Sequence, residues 1–171
     1  ITIMTNNLEQ SVLAKAQSWL DGDYDADTKA QVKSLMESDM KELTESFYKD
    51  LEFGTGGLRG IMGVGTNRMN IYIVNKATVG FGRYMLGLDE NAKTMGVAIA
   101  HDNRHKSVEF ARSSAEVLAS LGFKVYLFES LRPTPELSFA VRHFGCVGGI
   151  MITASHNPKE YNGYKIYDET G

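Results

Sequence analysis

The stretch that decides the fold of this chain reads Gly148-Gly149-Ile150-Met151-Ile152-Thr153-Ala154-Ser155-His156-Asn157-Pro158. A short apolar run ends there in small and polar residues, which is typical of a buried strand that carries a loop to the edge of a sheet. In open α/β sheets, ligands bind beyond the carboxyl ends of the strands. The pattern therefore makes the loop from Thr153 to Pro158 the first candidate for a functional site.

Ser155 is the candidate nucleophile of this loop, although most loop serines form turns with their own backbone. A serine nucleophile needs activation by a base or another group. His156 is adjacent, but neighbouring side chains of an extended chain point to opposite sides, so His156 is better placed to support the loop or a substrate oxygen. Lys165 follows in a second strand-like run, over residues 161–166, and could point back at Ser155.

The remainder of the chain alternates between predicted helices and predicted strands. The apolar spacing predicts helices within 5–50, from Asn75 or Thr78 to Gly87, and over 108–121 and 136–144, with strands over 95–100, 124–128 and 147–152. Strands that alternate with helices of ten or more residues favour an α/β sandwich. We therefore expect a three-layer α/β/α sandwich with a mixed, largely parallel sheet over residues 51–171, preceded by an N-terminal helical extension over residues 1–50.

A glycine-rich stretch separates the predicted extension from the sandwich. Six of the 17 glycines fall between Gly54 and Gly65, and glycine lets a backbone approach a ligand closely. The stretch matches neither a Walker loop nor the G-x-G-x-x-G pattern, so a tight hairpin is the simpler interpretation. Arg59 favours a phosphate-binding role, because a guanidinium fork suits phosphate oxygens. Arg68 is expected to be an exposed loop arginine.

Composition and charge exclude several classes of function. The chain has 171 residues, a formal net charge of -3 and a pI of about 5.8, which is not the charge of a nucleic-acid-binding protein. No apolar run approaches the roughly 20 residues of a membrane span. The single cysteine, Cys146, allows no internal disulfide and fits a reducing compartment, so we expect a cytoplasmic location. A zinc site at His101 and His105 is disfavoured, because a loop does not impose helical spacing.

Two motifs resemble one family of enzymes. The run Thr153–Pro158, with Tyr161-Asn162-Gly163-Tyr164-Lys165 after it, resembles the active-site serine loop of the α-D-phosphohexomutases, which include phosphoglucomutase and phosphomannomutase. The run Phe53–Gly60 resembles the opening motif of the same family. The resemblance covers roughly residues 50–171 and matches only the family's N-terminal domain I. The run Gly65–Asn70 resembles the branch that contains phosphopentomutase and glucose-bisphosphate-forming relatives.

This resemblance implies an isomerase that interconverts sugar 1-phosphates and 6-phosphates, or 5-phosphates, through a phosphoserine enzyme and a sugar bisphosphate. Ser155 would carry the phosphate, Lys165 would act in acid/base transfer, and His156 would belong to the catalytic loop. Arg59 and Asn157 would bind the substrate or its phosphate. The family also implies Mg²⁺, bound here only through the phosphate on Ser155, and a sugar 1,6-bisphosphate as activator or intermediate. The other Mg²⁺ ligands and the sugar-selecting and phosphate-clamping parts would come from further domains of a longer chain.

Other interpretations stay open at this point. A serine hydrolase would need a Gly-x-Ser-x-Gly elbow, which the sequence lacks. A non-catalytic phosphosugar-binding module and a phosphopentomutase-type specificity both remain alternatives, and the choice of sugar phosphate is not encoded in this stretch.

The family has an Asp and an Arg after the strand that ends near His101, so Asp102 and Arg104 are expected to shape the site through hydrogen bonds.

Overall fold

The computed structural model describes residues 2–171, with side chains described from Asn7 onward. The helices are α1 (Thr2–Asp21), α2 (Ala26–Ser38), α3 (Met40–Phe47), α4 (Ile71–Leu88), α5 (Ala92–Met95), α6 (Ser107–Ser120) and α7 (Thr134–His143). The strands are β1 (Phe53–Gly54), β2 (Gly57–Ile61), β3 (Val97–His101), β4 (Val125–Leu127), β5 (Gly148–Ile152) and β6 (Tyr161–Tyr167). Within these residues, none of the helices combines the length and the apolar character that crossing a bilayer requires.

The N-terminal extension is helical, as predicted. Asp25 caps α2 by accepting a hydrogen bond from the Thr28 backbone, and Asp39 caps α3 in the same way. The three helices pack around a separate apolar cluster, which the next segment joins through Val64. Ile1 lies outside the described residues, and the division into residues 1–50 and 51–171 stays a prediction.

The sheet has six strands in the order β1-β2-β6-β5-β3-β4. It is mixed, as predicted, but only the β3–β4 and β3–β5 pairs are parallel. The expectation of a largely parallel sheet is therefore wrong for the half formed by β1, β2 and β6, whose pairs are all antiparallel. For β5 and β6 the reason is connection length, since a parallel crossover needs a dozen or more residues and only residues 153–160 join these strands.

Helices cover both faces of the sheet, which confirms the three-layer sandwich. Helices α4 and α6 pack on one face, over a core that includes Leu58, Ile150 and Tyr164. Helix α7 packs on the other face against β3 and β5, around Leu137 and Met151. On that second face the β2–β6 half lies beyond α7, and this is the half that carries the candidate site.

Two helices begin earlier than predicted. Helix α4 starts at Ile71 rather than at Asn75 or Thr78, because the Asn70 side chain accepts a hydrogen bond from the Ile73 backbone and caps the helix there. Helix α7 starts at Thr134, since Pro135 fits the first turn, where its missing N–H costs nothing.

Candidate active site

The serine loop presents Ser155 in a strained and exposed conformation. Its backbone has a φ of 56°, in the left-handed region that non-glycine residues rarely adopt. The Ser155 backbone N–H donates to the Thr153 hydroxyl oxygen at 3.0 Å, and the Asn157 N–H donates to the Ala154 carbonyl at 3.1 Å. Thr153 was not singled out in the sequence, although a threonine two residues before a turn often makes this bond. Strain of this kind persists only where surrounding contacts enforce it, and it clusters at functional sites.

Arg104 holds the serine loop through hydrogen bonds to its backbone. Its guanidinium donates to four loop carbonyls, those of Ser155 at 2.9 Å, Asn157 at 2.7 Å, Pro158 at 2.8 Å and Tyr161 at 3.1 Å. The four bonds occupy the two terminal nitrogens of the guanidinium. Arg104 is therefore committed to the backbone of the loop rather than to a ligand.

Asp102 completes this support. Its carboxylate lies 3.3 Å from the Arg104 Nε and accepts hydrogen bonds from the Arg104 N–H at 3.0 Å and the Ser107 hydroxyl at 2.7 Å. Its own N–H donates to the Ile152 carbonyl at 3.1 Å, which joins the end of β5 to the segment after β3. The expectation that Asp102 and Arg104 shape the site through hydrogen bonds is thus matched by their geometry.

Arg59 reaches the serine loop from β2. Its terminal nitrogen donates to the Asn157 side-chain oxygen at 3.1 Å, and its Nε donates to the Gly56 carbonyl at 3.2 Å. A Cβ atom at Gly56 would lie 2.4 Å from the guanidinium, so glycine at this position leaves room for the arginine. The two residues predicted to bind substrate or phosphate, Arg59 and Asn157, are therefore in direct contact.

Lys165 lies on the same face of the sheet as Arg59. Arg59 pairs with Gly163 across β2 and β6, and Lys165 is two residues further along β6, so both side chains emerge on the side of α7. Both are half-buried. Burial lowers the pKa of Lys165, and the positive charge of Arg59 lowers it further. A lowered pKa increases the fraction of neutral amine, which is the form that can accept a proton.

His156 is not arranged as a base for Ser155. Its Nδ1 lies 3.5 Å from the Ser155 hydroxyl oxygen, which is long for a hydrogen bond between these atoms, and both residues are exposed. This geometry agrees with the view that His156 supports the loop or a substrate oxygen. Its catalytic role stays a prediction.

A cavity with a mixed polar and charged lining lies beside Ser155. A cavity of about 420 Å³ beside Ser155 is lined by Arg104, His105, Asn157 and Lys159, together with Asp102 and Asn103. No group of three or more His, Cys, Asp or Glu side chains that could hold a metal ion occurs among the described residues. A magnesium ion at this site would therefore need ligands beyond the side chains of the described residues.

The expectation that Arg68 is an exposed loop arginine is wrong. Arg68 is only 6% exposed, because its guanidinium lies against α3, 2.8 Å from the Glu42 carboxylate.

Cys146 is buried, and burial raises the pKa of its thiol, which makes it a poor nucleophile.

Comparison with known proteins assigns the family. Residues 50–171 match the model of "Phosphoglucomutase/phosphomannomutase, alpha/beta/alpha domain I". The chain belongs to this family. The match spans β1 to β6 and so includes the serine loop, Arg59 and Lys165.

Individual relatives agree with this assignment. The chain is 45% identical over 150 residues to a Schizosaccharomyces pombe protein named "Probable phosphoribomutase", covering 87% of this chain and 26% of that protein. It is 48% identical over 131 residues to a Staphylococcus epidermidis phosphoglucomutase, covering 77% of this chain and 23% of that protein. A solved structure of a phosphoglucomutase/phosphomannomutase family protein from Burkholderia thailandensis superposes with a TM-score of 0.57 and 25% identity, over 70% of this chain and 26% of that one. The chain thus spans about a quarter of the length of the relatives that it matches.

Proposed function

We propose that this chain is the phosphoserine-bearing domain I of a phosphosugar mutase that interconverts sugar 1-phosphates and 6-phosphates, or 5-phosphates. The observation that carries the proposal is the strained, exposed Ser155, held by Arg104 beside the Arg59–Asn157 pair. Phosphoryl transfer depends mainly on positioning and on neutralising charge. An exposed hydroxyl on a backbone held by Arg104, with Arg59 bonded to the Asn157 side chain of the same loop, is consistent with both requirements.

In the proposed reaction, phosphorylated Ser155 transfers its phosphoryl group to a free hydroxyl of the sugar phosphate. The bond between phosphorus and the Ser155 oxygen breaks as a bond to the sugar oxygen forms. The neutral amine of Lys165 accepts the proton of the attacking hydroxyl, and the leaving Ser155 oxygen takes up a proton from water. The product is a sugar bisphosphate, such as a 1,6-bisphosphate. The Ser155 hydroxyl then gives its proton to water and attacks the other phosphoryl group of the bisphosphate. The bond between phosphorus and that sugar oxygen breaks, and the ammonium of Lys165 protonates the oxygen, which regenerates the phosphoenzyme and releases the isomer.

Arg59 would bind phosphate in both half-reactions, because its fork suits phosphate oxygens and its position is fixed by Gly56 and Asn157. Mg²⁺ would neutralise charge on the transferring phosphoryl group when bound. This chain would hold it through the Ser155 phosphate, while its other ligands would come from further domains of the full-length protein. We propose a cytoplasmic location on the ground of the single, buried cysteine.

The sugar is a separate question. Relatives named for ribose and for glucose phosphates show similar identity, 45% and 48%, so a phosphopentomutase-type specificity is the second candidate. A non-catalytic phosphosugar-binding module would use the same Arg59 contacts without turnover, and the strained conformation of Ser155 argues against it.

The test compares Ser155→Ala with Ser120→Ala in the full-length protein. Ser120 is exposed, and its hydroxyl bonds only to its own helix, at the Val117 carbonyl. We expect S155A to abolish the serine phosphate seen by intact mass and to lower mutase turnover at least about 1,000-fold, with S120A unchanged. Turnover by S155A at the wild-type rate would rule out the phosphoserine mechanism. Wild-type protein that binds phosphosugar without turnover would favour the binding module.

A further inference from the structure

Arg68 is a buried cation at the junction between the helical extension and the sandwich. Its side chain donates to the Glu42 carboxylate through Nε at 3.3 Å and a terminal nitrogen at 2.8 Å. Its other terminal nitrogen donates to the backbone carbonyls of Glu45 at 3.1 Å and Asn67 at 3.2 Å. A buried charge is tolerated only when it is paired and hydrogen-bonded, so these contacts account for the position of Arg68.

The neighbours of Arg68 bind the same end of α3. The Asn67 side chain donates to the Glu45 carbonyl at 2.9 Å, and the Asn67 N–H donates to the Ser46 carbonyl at 2.9 Å. The Thr66 hydroxyl donates to the Lys49 carbonyl at 2.7 Å. The last carbonyls of a helix have no partner within the helix, and a positive charge near them is favourable. Asn67 and Arg68 therefore cap the C-terminal end of α3, and Thr66 binds the chain two residues beyond it.

Gly65 brings this segment against the helix. Its φ is 117°, and a Cβ atom built there would lie 2.3 Å from the Ser46 carbonyl oxygen. At the other end, the Asn70 side-chain amide donates to the carbonyls of Gly63 and Gly65 while its oxygen caps α4. Residues 65–70 thus form a segment that binds the C-terminal end of α3, which we call the α3 socket.

The α3 socket is also bonded to the strand that carries Arg59. The Met69 N–H donates to the carbonyl of Ile61, the last residue of β2, at 2.8 Å. The next residue, Met62, donates its N–H to the Glu160 carbonyl at 2.9 Å, directly before β6. A continuous set of hydrogen bonds therefore runs from α3 through Arg68 and Met69 to β2 and the end of the serine loop.

We propose that the Gly65–Asn70 run is a socket for α3 and that Arg68 is a positioning residue, which through this socket fixes β2 and Arg59 for phosphate binding. This part of the sequence would then serve docking of the helical extension rather than contact with the sugar. The effect on catalysis rests on the proposed mutase function, whereas the docking itself does not.

The docking is tested by hydrogen exchange on the full-length protein with Arg68→Met, against the matched control Arg83→Met, an exposed arginine of α4. We expect R68M to speed amide exchange at Asn67 and at the end of α3 at least about tenfold, with R83M unchanged. Unchanged exchange in R68M would overturn the α3 socket. If R68M fails to fold, Asn67→Ala keeps the ion pair and should show the same local change.

The positioning role is tested by a double-mutant cycle with Arg59→Gln. Alone, R68M should lower kcat/KM about tenfold through a higher KM, and R59Q should lower it further. If Arg68 acts through Arg59, R68M should have little effect in the R59Q background. Independent effects that multiply would overturn the positioning role, since a general loss of folded protein would reduce activity equally in both backgrounds. A wild-type KM in R59Q would instead count against the proposed function of Arg59.

Discussion

Replacing Arg104 by methionine tests whether the serine loop is held in place by its support. Arg104 is 13% exposed and donates to four loop carbonyls in addition to its contact with Asp102. One hydrogen bond to a charged group contributes about 1.5–3 kcal/mol, but exposed carbonyls such as that of Ser155 regain water when the arginine is removed. We therefore take the value for removing one partner of a buried charge pair, about 3–5 kcal/mol, as the total loss in the free energy of unfolding.

Part of this free energy holds the backbone of Ser155 in its left-handed conformation. A left-handed backbone at a non-glycine residue costs of the order of 1–3 kcal/mol, so the loop should relax once Arg104 no longer enforces it. If about 2.7 kcal/mol of the total acts on the reacting geometry, turnover should fall about 100-fold. Arg104→Lys should recover little, because a single ammonium cannot reproduce the fork that reaches four carbonyls.

The assay is kcat of the full-length protein, together with the fraction of Ser155 that carries phosphate. Arg112→Met is the matched control, because Arg112 is exposed on α6, and it should leave both values unchanged. Free guanidinium should restore part of the activity of R104M if the lost contacts are those to the loop. A folded R104M protein with kcat within about threefold of wild type would refute the reasoning.

Two further predictions concern charge and backbone geometry. The pKa of Lys165 is lowered in the folded protein, by burial first and Arg59 second. At this group the unfolded chain therefore binds more protons between that lowered value and about 10.4, so the contribution of Lys165 to stability should rise with pH across this window. Lys165→Met should remove that contribution from the free energy of unfolding measured against pH. Arg59→Met should move the acid limb of the pH–rate profile to higher pH, because the pKa of Lys165 then increases. Gly65→Ala should destabilise the protein by about 2–4 kcal/mol, since its Cβ would clash with Ser46. Gly87→Ala, in open space on α4, should stabilise it by up to about 1 kcal/mol, and equal effects of the two substitutions in thermal unfolding would contradict the clash.

The parts of the site that the sequence predicted are those that depend on local patterns. The apolar run before Ser155 identified β5 and its loop, because a buried strand followed by small and polar residues has few other interpretations. The glycines around Arg59 predicted a tight hairpin, and β1 and β2 form one in which Gly54 pairs with Gly57. The family resemblance supplied the roles, which local patterns do not contain.

The parts that the sequence did not predict depend on contacts between distant segments. Arg68 looked like a loop arginine because its partners Glu42 and Glu45 lie more than 20 residues earlier in the chain. The antiparallel pairing of β2 with β6 likewise has no local signal, so alternation of helices and strands suggested a more parallel sheet than the one that forms. The early start of α4 was not predicted for a different reason, since Asn70 was assigned to the Gly65–Asn70 motif and not to a helix cap.

The pairing of β2 with β6 also determines when the site can assemble. The Arg59–Asn157 hydrogen bond joins residues 98 positions apart, whereas β3, α6 and β4 are consecutive in the chain and can pair early. Contacts between such distant positions form slowly, because a long loop must close before they contribute any stability. On a ribosome, the edge of β2 that later pairs with β6 would stay open until β6 had emerged, and it could meanwhile associate with other chains. The contact between Arg59 and the serine loop would therefore form in a late folding step, after β3, α6 and β4 have packed.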